Sequence, residues 1–96
     1  MFVDVEWDEA KRAFNIAKHG VDFALIERFD WESSVTVSDD RRSYGEDRFR
    51  TFGSISGQLH VLVWTPRHHR VRIISLRKAN RREVRTHEAT AHRSDE

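Results

Sequence analysis

Arginine, lysine, histidine and glutamate recur through the second half of this chain, with few other reactive side chains beside them. That set suits cleavage of a phosphodiester by an adjacent hydroxyl. The reaction needs a base for the attacking oxygen, cationic donors for the charged phosphorane, and an acid for the leaving oxygen. Glu46 and His87 are the candidates for proton transfer. Arg67 and Arg77 are candidates for stabilising the phosphorane, because guanidinium binds phosphate as a planar fork. Arg48, Arg72 and Lys78 are candidates for holding an RNA backbone. Each has a plainer alternative. Glu46 and Arg48 could form an ion pair at a strand end. Arg77 and Lys78 could lay their stems along a sheet with their heads in water. The whole basic surface could also be a binding module that holds an acidic partner and catalyses nothing.

Other chemistries find little support. There is no cysteine, hence no thiolate nucleophile and no disulfide. No Gly-x-Ser-x-Gly or His-Glu-x-x-His occurs, and four scattered glycines build no phosphate-cradling loop. His68 and His69 are neighbours, and neighbours on a strand point to opposite faces, so they read as exposed loop residues. Ser75 lies among apolar residues and reads as a packed hydroxyl. Neither a metal nor a cofactor is expected.

The chain has 96 residues, the size of one domain, taken as 1–96. Its net charge is +1, but the charge is unevenly placed. The first forty residues carry four Lys/Arg against ten Asp/Glu, and the rest carry thirteen against six. A basic half suggests nucleic acid or an acidic partner; internal pairing with the acidic half is the alternative. The acidic start "MFVDVEWDEAKR" has no signal-peptide pattern, and no apolar run approaches a membrane span. A soluble, cytoplasmic protein is expected.

The elements that must position these groups follow from periodicity. "VDVEW" reads as a short first strand. Asp8 reads as an N-cap, and Ala10, Ala13, Phe14 and Ala17 give an amphipathic helix. Lys18 and His19 suit its last turn, and Gly20 its C′ position. Asp22 caps a second helix striped by Phe23, Ile26 and Phe29, so two helices form a hairpin. The period then becomes two. "SVTVSD", "RFRTFGSI" and "LHVLVWT" read as strands, with a polar loop at Asp40–Glu46 and a tight turn at Ser56-Gly57. Pro66 is expected to end the third of these, with "RHH" as a loop. Asn80 and Glu83 form a capping box for a short last helix, and "HRSDE" is expected to fray. The expected class is α+β: two N-terminal helices on a mainly antiparallel four- to five-stranded sheet, then a short C-terminal helix.

The segment "RVRIISLRKANRRE", Arg70 to Glu83, is both apolar and basic. Simple alternation puts Arg72 and Lys78 on one face with Ile74 and Leu76, and Arg77 on the other with Val71 and Ile73. On that basis the three cannot share a cleft.

The chain resembles the BrnT-type toxins of bacterial toxin–antitoxin pairs over nearly its whole length. The resemblance is carried by "WDEAKRAFNIAKHGVDF" (Trp7 to Phe23), by the run Asp39-x-Arg41-x-x-x-Gly45-Glu46-x-Arg48, by Gly53, and by "RIISLRKANRRE" (Arg72 to Glu83). It implies a RelE-like ribonuclease fold and a toxin that inhibits translation by cutting RNA. It also implies a cognate BrnA-like antitoxin, whose DNA-binding part would bring the pair to its own operator. Similar chains commonly carry Tyr where this one has His87.

Overall fold

The computed structural model describes residues 3–41 and 45–94, with side chains through residue 90. The elements are β1 (Val5–Glu6), α1 (Glu9–His19), a 3-10 helix (Phe23–Arg28), β2 (Val35–Ser38), β3 (Phe49–Ile55), β4 (Gln58–Arg67), β5 (Arg70–Lys78) and α2 (Arg81–Ser94). One five-stranded sheet has the order β1-β5-β4-β3-β2. The run β2 to β5 is an antiparallel meander, as expected. β1 departs from it and joins β5 in parallel, pairing Val5 with Val71 and Glu6 with Arg72.

Local caps form where the sequence placed them. The Asp8 carboxylate accepts from the Ala10 and Lys11 amides, and Gly20 closes α1 with φ 70°. Asp22 accepts from the Ala24 amide. The Arg12 guanidinium also grips Asp22 through two bonds of 2.8 and 2.7 Å and holds its carboxyl down near 2. What Asp22 caps is a single 3-10 helix rather than the second α-helix expected. Phe23, Ile26 and Phe29 recur every three residues, which is the 3-10 period, and all three are buried.

That stripe covers one face of the sheet. Val21, Phe23, Ile26 and Phe29 pack with Ile55, Leu62, Ile73 and Leu76 into the core. Phe29 lies so close over Gly53 that a Cβ there would sit 2.5 Å from its Cζ, so only glycine fits without displacing the ring.

α1 docks by a different face from the one its apolar residues mark. Ala10, Ala13, Phe14 and Ala17 are all exposed, Phe14 at 67%. The residue turned inward is Asn15, 3% exposed. β1 ends at Glu6, so the outer edge of β5 is unpaired beyond Arg72. There the Asn15 amide accepts from the Leu76 N–H at 3.2 Å and donates to the Leu76 carbonyl at 2.7 Å. It donates to the Val21 carbonyl at 2.9 Å as well. A side-chain amide thus stands in for one residue of a missing strand and satisfies backbone groups that burial would otherwise leave unpaired.

Two further expectations change. β4 continues through Pro66 to Arg67. Val71, opposite Pro66, gives its N–H to Asp4 on the far side, so this pair exchanges no ladder bonds and the proline's missing donor is not needed. The turn that follows is His68-His69, with φ of 52° and 65°, as tight as Ser56-Gly57 at 51° and 80°. α2 spans fourteen residues and is not short. The loop at Asp40–Glu46 and the terminal "HRSDE" lie partly outside the described residues. Among the described residues no helix is long and apolar enough to cross a membrane.

Candidate active site

The sheet face opposite the core is set by strand pairing. Arg72 pairs with Thr65 and Arg77 with Val61, two β4 residues four apart and therefore on the same face. The simple alternation fails because Val63 pairs with Ser75 and Trp64 with Ile73, which leaves Ile74 as an extra residue. This β-bulge reverses the phase of everything after it. Arg72 and Arg77 consequently share a face. Lys78, paired with buried His60, turns to the other one. The separation expected between Arg72 and Arg77 is corrected, and it is Lys78 that is set apart.

Two recesses lie side by side on this face, with Lys11 and Ile74 as common walls. The first, about 400 Å³, holds Glu46, Arg48, Arg67 and Arg72. The second, about 560 Å³, runs along α1 and holds Lys18, His19, Arg41, Ser75 and Arg77. Together they form a groove with seven Lys/Arg side chains and, among its described lining residues, one carboxylate, Glu46.

Most of these cations are held from behind. Arg72 donates to Glu6 of β1 at 2.7 Å. Glu46 lies 3.6 Å from Arg48, the strand-end pair that was the plainer alternative. Asp39, 3% exposed, receives two bonds from Arg41 at 2.6 and 2.9 Å and lies 3.9 Å from Arg50. The hydrogen bond from Arg41 keeps the Asp39 carboxyl below its usual range, against the effect of burial.

Arg77 is held most firmly. Its two terminal nitrogens donate to both oxygens of Glu83, at 2.7 and 2.8 Å. Glu83 is the third residue of α2. It also accepts from the Asn80 amide at 2.8 Å, while the Asn80 side chain accepts from the Glu83 amide at 2.8 Å, a complete capping box. One carboxylate therefore starts α2 and fixes the arginine. Its protonation falls below the ordinary glutamate range, chiefly through the bond from Arg77.

A prediction follows. Because the folded-state value is depressed, this pair stabilises the protein above the unfolded glutamate pKa. That stability is lost as pH falls through the lower folded value. In urea titrations between pH 6 and 3, wild type should lose stability more steeply below about pH 4.5 than Glu83→Gln does. Parallel profiles for the two proteins would mean that Glu83 does not anchor α2.

His87 lies elsewhere. It faces a recess of about 300 Å³ between α2 and the sheet, with Val35, Val37 and Phe52 among its neighbours. Of the sequence candidates, the structure gathers Glu46, Arg48, Arg67, Arg72 and Arg77 in one groove and leaves Lys78 and His87 outside it. Sequence reasoning missed Lys11, Lys18, His19 and Arg41. The α1 residues were hidden because the helix was turned by its apolar stripe. Taking Asn15 as the docking residue would have brought His19, one turn further on, to the same side.

The family model for the ribonuclease toxin BrnT of type II toxin–antitoxin systems matches residues 7–83. Comparison with curated proteins finds no match. The matched span runs from Trp7, ahead of α1, through the Glu83 that grips Arg77, and so includes every groove residue named above. His87 falls beyond it. The chain belongs to the BrnT family of ribonuclease toxins of type II toxin–antitoxin systems.

Proposed function

We propose that this toxin cuts RNA in the groove between α1 and the bulged sheet face without using a metal ion, and that the cutting arrests translation. The observation that carries this reading is the groove's inventory: seven arginines and lysines, of which Arg41, Arg48, Arg72 and Arg77 are paired with carboxylates, with an imidazole beside them. Phosphate recognition needs charged forks on rigid elements, and β5 and β4 supply them. Pairing does not exhaust the forks. A guanidinium has five N–H donors, and Arg77 gives two to Glu83 and a third to the Lys78 carbonyl at 3.3 Å. Among the described residues no three metal-ligating side chains come together.

A type II system includes a protein antitoxin. A BrnA-like partner that lays acidic side chains along the same groove would compete with RNA for the arginines, and its DNA-binding part would carry the pair to operator DNA. The salt dependence of such a complex tests the electrostatic contact.

The second reading is a binding module without catalysis, and one observation favours it. Arg41, Arg48, Arg72 and Arg77 already have carboxylate neighbours, which suits a rigid docking surface as well as a catalytic one. Incubation of the purified toxin with RNA in excess chelator separates the two. Cleavage that persists is the expected result. Cleavage that needs added metal would overturn metal independence. Tight binding of an acidic helix with no RNA cleavage under any condition would favour the module.

A further inference from the structure

We infer that His19 is the general base of the groove, taking the proton from the attacking 2′-hydroxyl. The inference rests on the ribonuclease reading above and names a residue for its least assigned role.

The histidines separate by place. His60 is buried, with Nδ1 2.8 Å from the Gln58 carbonyl. His68 and His69 form the exposed β4–β5 turn. His87 faces the separate recess under α2, beside Val35, Val37 and Phe52 and also Arg50, Arg82 and Glu83. Among the histidines whose side chains are described, His19 is the one that lines the arginine groove, beside Ser75, Arg41 and Arg77. Its position follows from the docking of α1. Asn15 and His19 are four apart on α1 and face the same way. Asn15 is bonded to the Leu76 backbone, so the next turn of the helix carries His19 towards the Arg77 end of β5.

The surroundings keep the imidazole in the neutral form that a general base starts from. Partial burial lowers its pKa, and the neighbouring charges of Lys18 and Arg77 lower it further. Lys11 from α1 and Arg41 from the loop after β2 add positive charge to the same recess. Glu83 of α2 lies behind Arg77 and is committed to it. At neutral pH the ring is therefore neutral, with a ring nitrogen free to accept a proton.

The step balances as follows. The 2′-oxygen forms a bond to phosphorus as its proton passes to the imidazole. The phosphorus–5′-oxygen bond breaks, and the leaving oxygen takes a proton from water in the open groove. The imidazolium returns its proton to solvent. The products are a 2′,3′-cyclic phosphate and a 5′-hydroxyl end. Arg77 and Arg41 face the charge that builds on phosphorus.

The test uses purified full-length toxin and a short RNA. His19→Gln should lower kcat by about 100-fold or more, with KM changed by less than about threefold. It should also flatten the acidic limb of the pH–rate profile, which in wild type follows His19. His87→Gln should leave that limb in place. In His19→Ala, added imidazole should restore part of the rate, which a merely structural role would not allow. That rescue is also the arm to use if the glutamine variant does not fold. A His19→Gln protein that cleaves at the wild-type rate with its acidic limb intact overturns the assignment alone. A wild-type protein that cuts no RNA overturns both this assignment and the reading beneath it.

Discussion

Asn15→Ala is expected to destabilise the protein by about 3–5 kcal/mol, enough to unfold a marginal domain. Three backbone groups lose their partner at once: the Val21 carbonyl and both the N–H and the carbonyl of Leu76. Each is buried, and leaving such a group unsatisfied costs about 1–3 kcal/mol. Water entering the vacated space will recover part of that sum. Asn15→Asp should fare little better, because a carboxylate still accepts from Leu76 but donates to neither carbonyl. Urea unfolding of the three proteins provides the measurement. A loss below about 1 kcal/mol for the alanine variant would mean that the edge of β5 tolerates solvent, and that α1 is held mainly by the Arg12–Asp22 clamp.

The second large effect concerns Arg77. Arg77→Ala should reduce RNA cleavage by about 100- to 1,000-fold, the usual cost of removing one preorganised donor to a developing charge. It should abolish growth inhibition in cells. The substitution also strips Glu83 of its fork, so a structural explanation has to be separated. Glu83→Gln breaks the same ion pair from the other side and leaves the guanidinium in the groove. If Arg77 acts on RNA, the glutamine variant retains cleavage within a few-fold of wild type while the alanine variant does not. Equal losses in the two variants would assign Arg77 to anchoring α2. An Arg77→Ala toxin that is well expressed and fully toxic would remove the residue from the mechanism.

Much of the fold was legible because it is local. Asp8, Gly20, Asp22 and the Asn80–Glu83 box each act within a few residues, and each forms as read. The 3-10 helix was not read as such: a second α-helix was expected there, because a spacing of three fits one turn of either helix. The face of α1 was not legible either. Its inward residue is polar, and the groups that make Asn15 tolerable in the interior belong to Leu76, sixty-one residues away. A scan for apolar periodicity then selects the exposed side.

The site follows the same division. The basic character of β5 and the nearby Glu46 and Arg48 could be read directly. Which of the basic residues meet could not, because the bulge arises in the pairing of β4 with β5 and has no signature in "RIISL". His19 and Arg41 come from segments far from β5 in the chain, and only the docking of α1 and the course of the chain after β2 place them beside Arg77.

The extra residue at Ile74 has a consequence for comparing this toxin with its relatives. Beyond that point, position along the chain and side of the sheet part company. Two chains identical from Ser75 onward, one of them a residue shorter before it, would present opposite faces, one turning Arg77 towards the groove and the other turning Lys78 there. An insertion or deletion of a single codon there would turn the groove-facing residues of β5 towards the core while leaving every residue after it the same, a change that a count of identical residues would barely register.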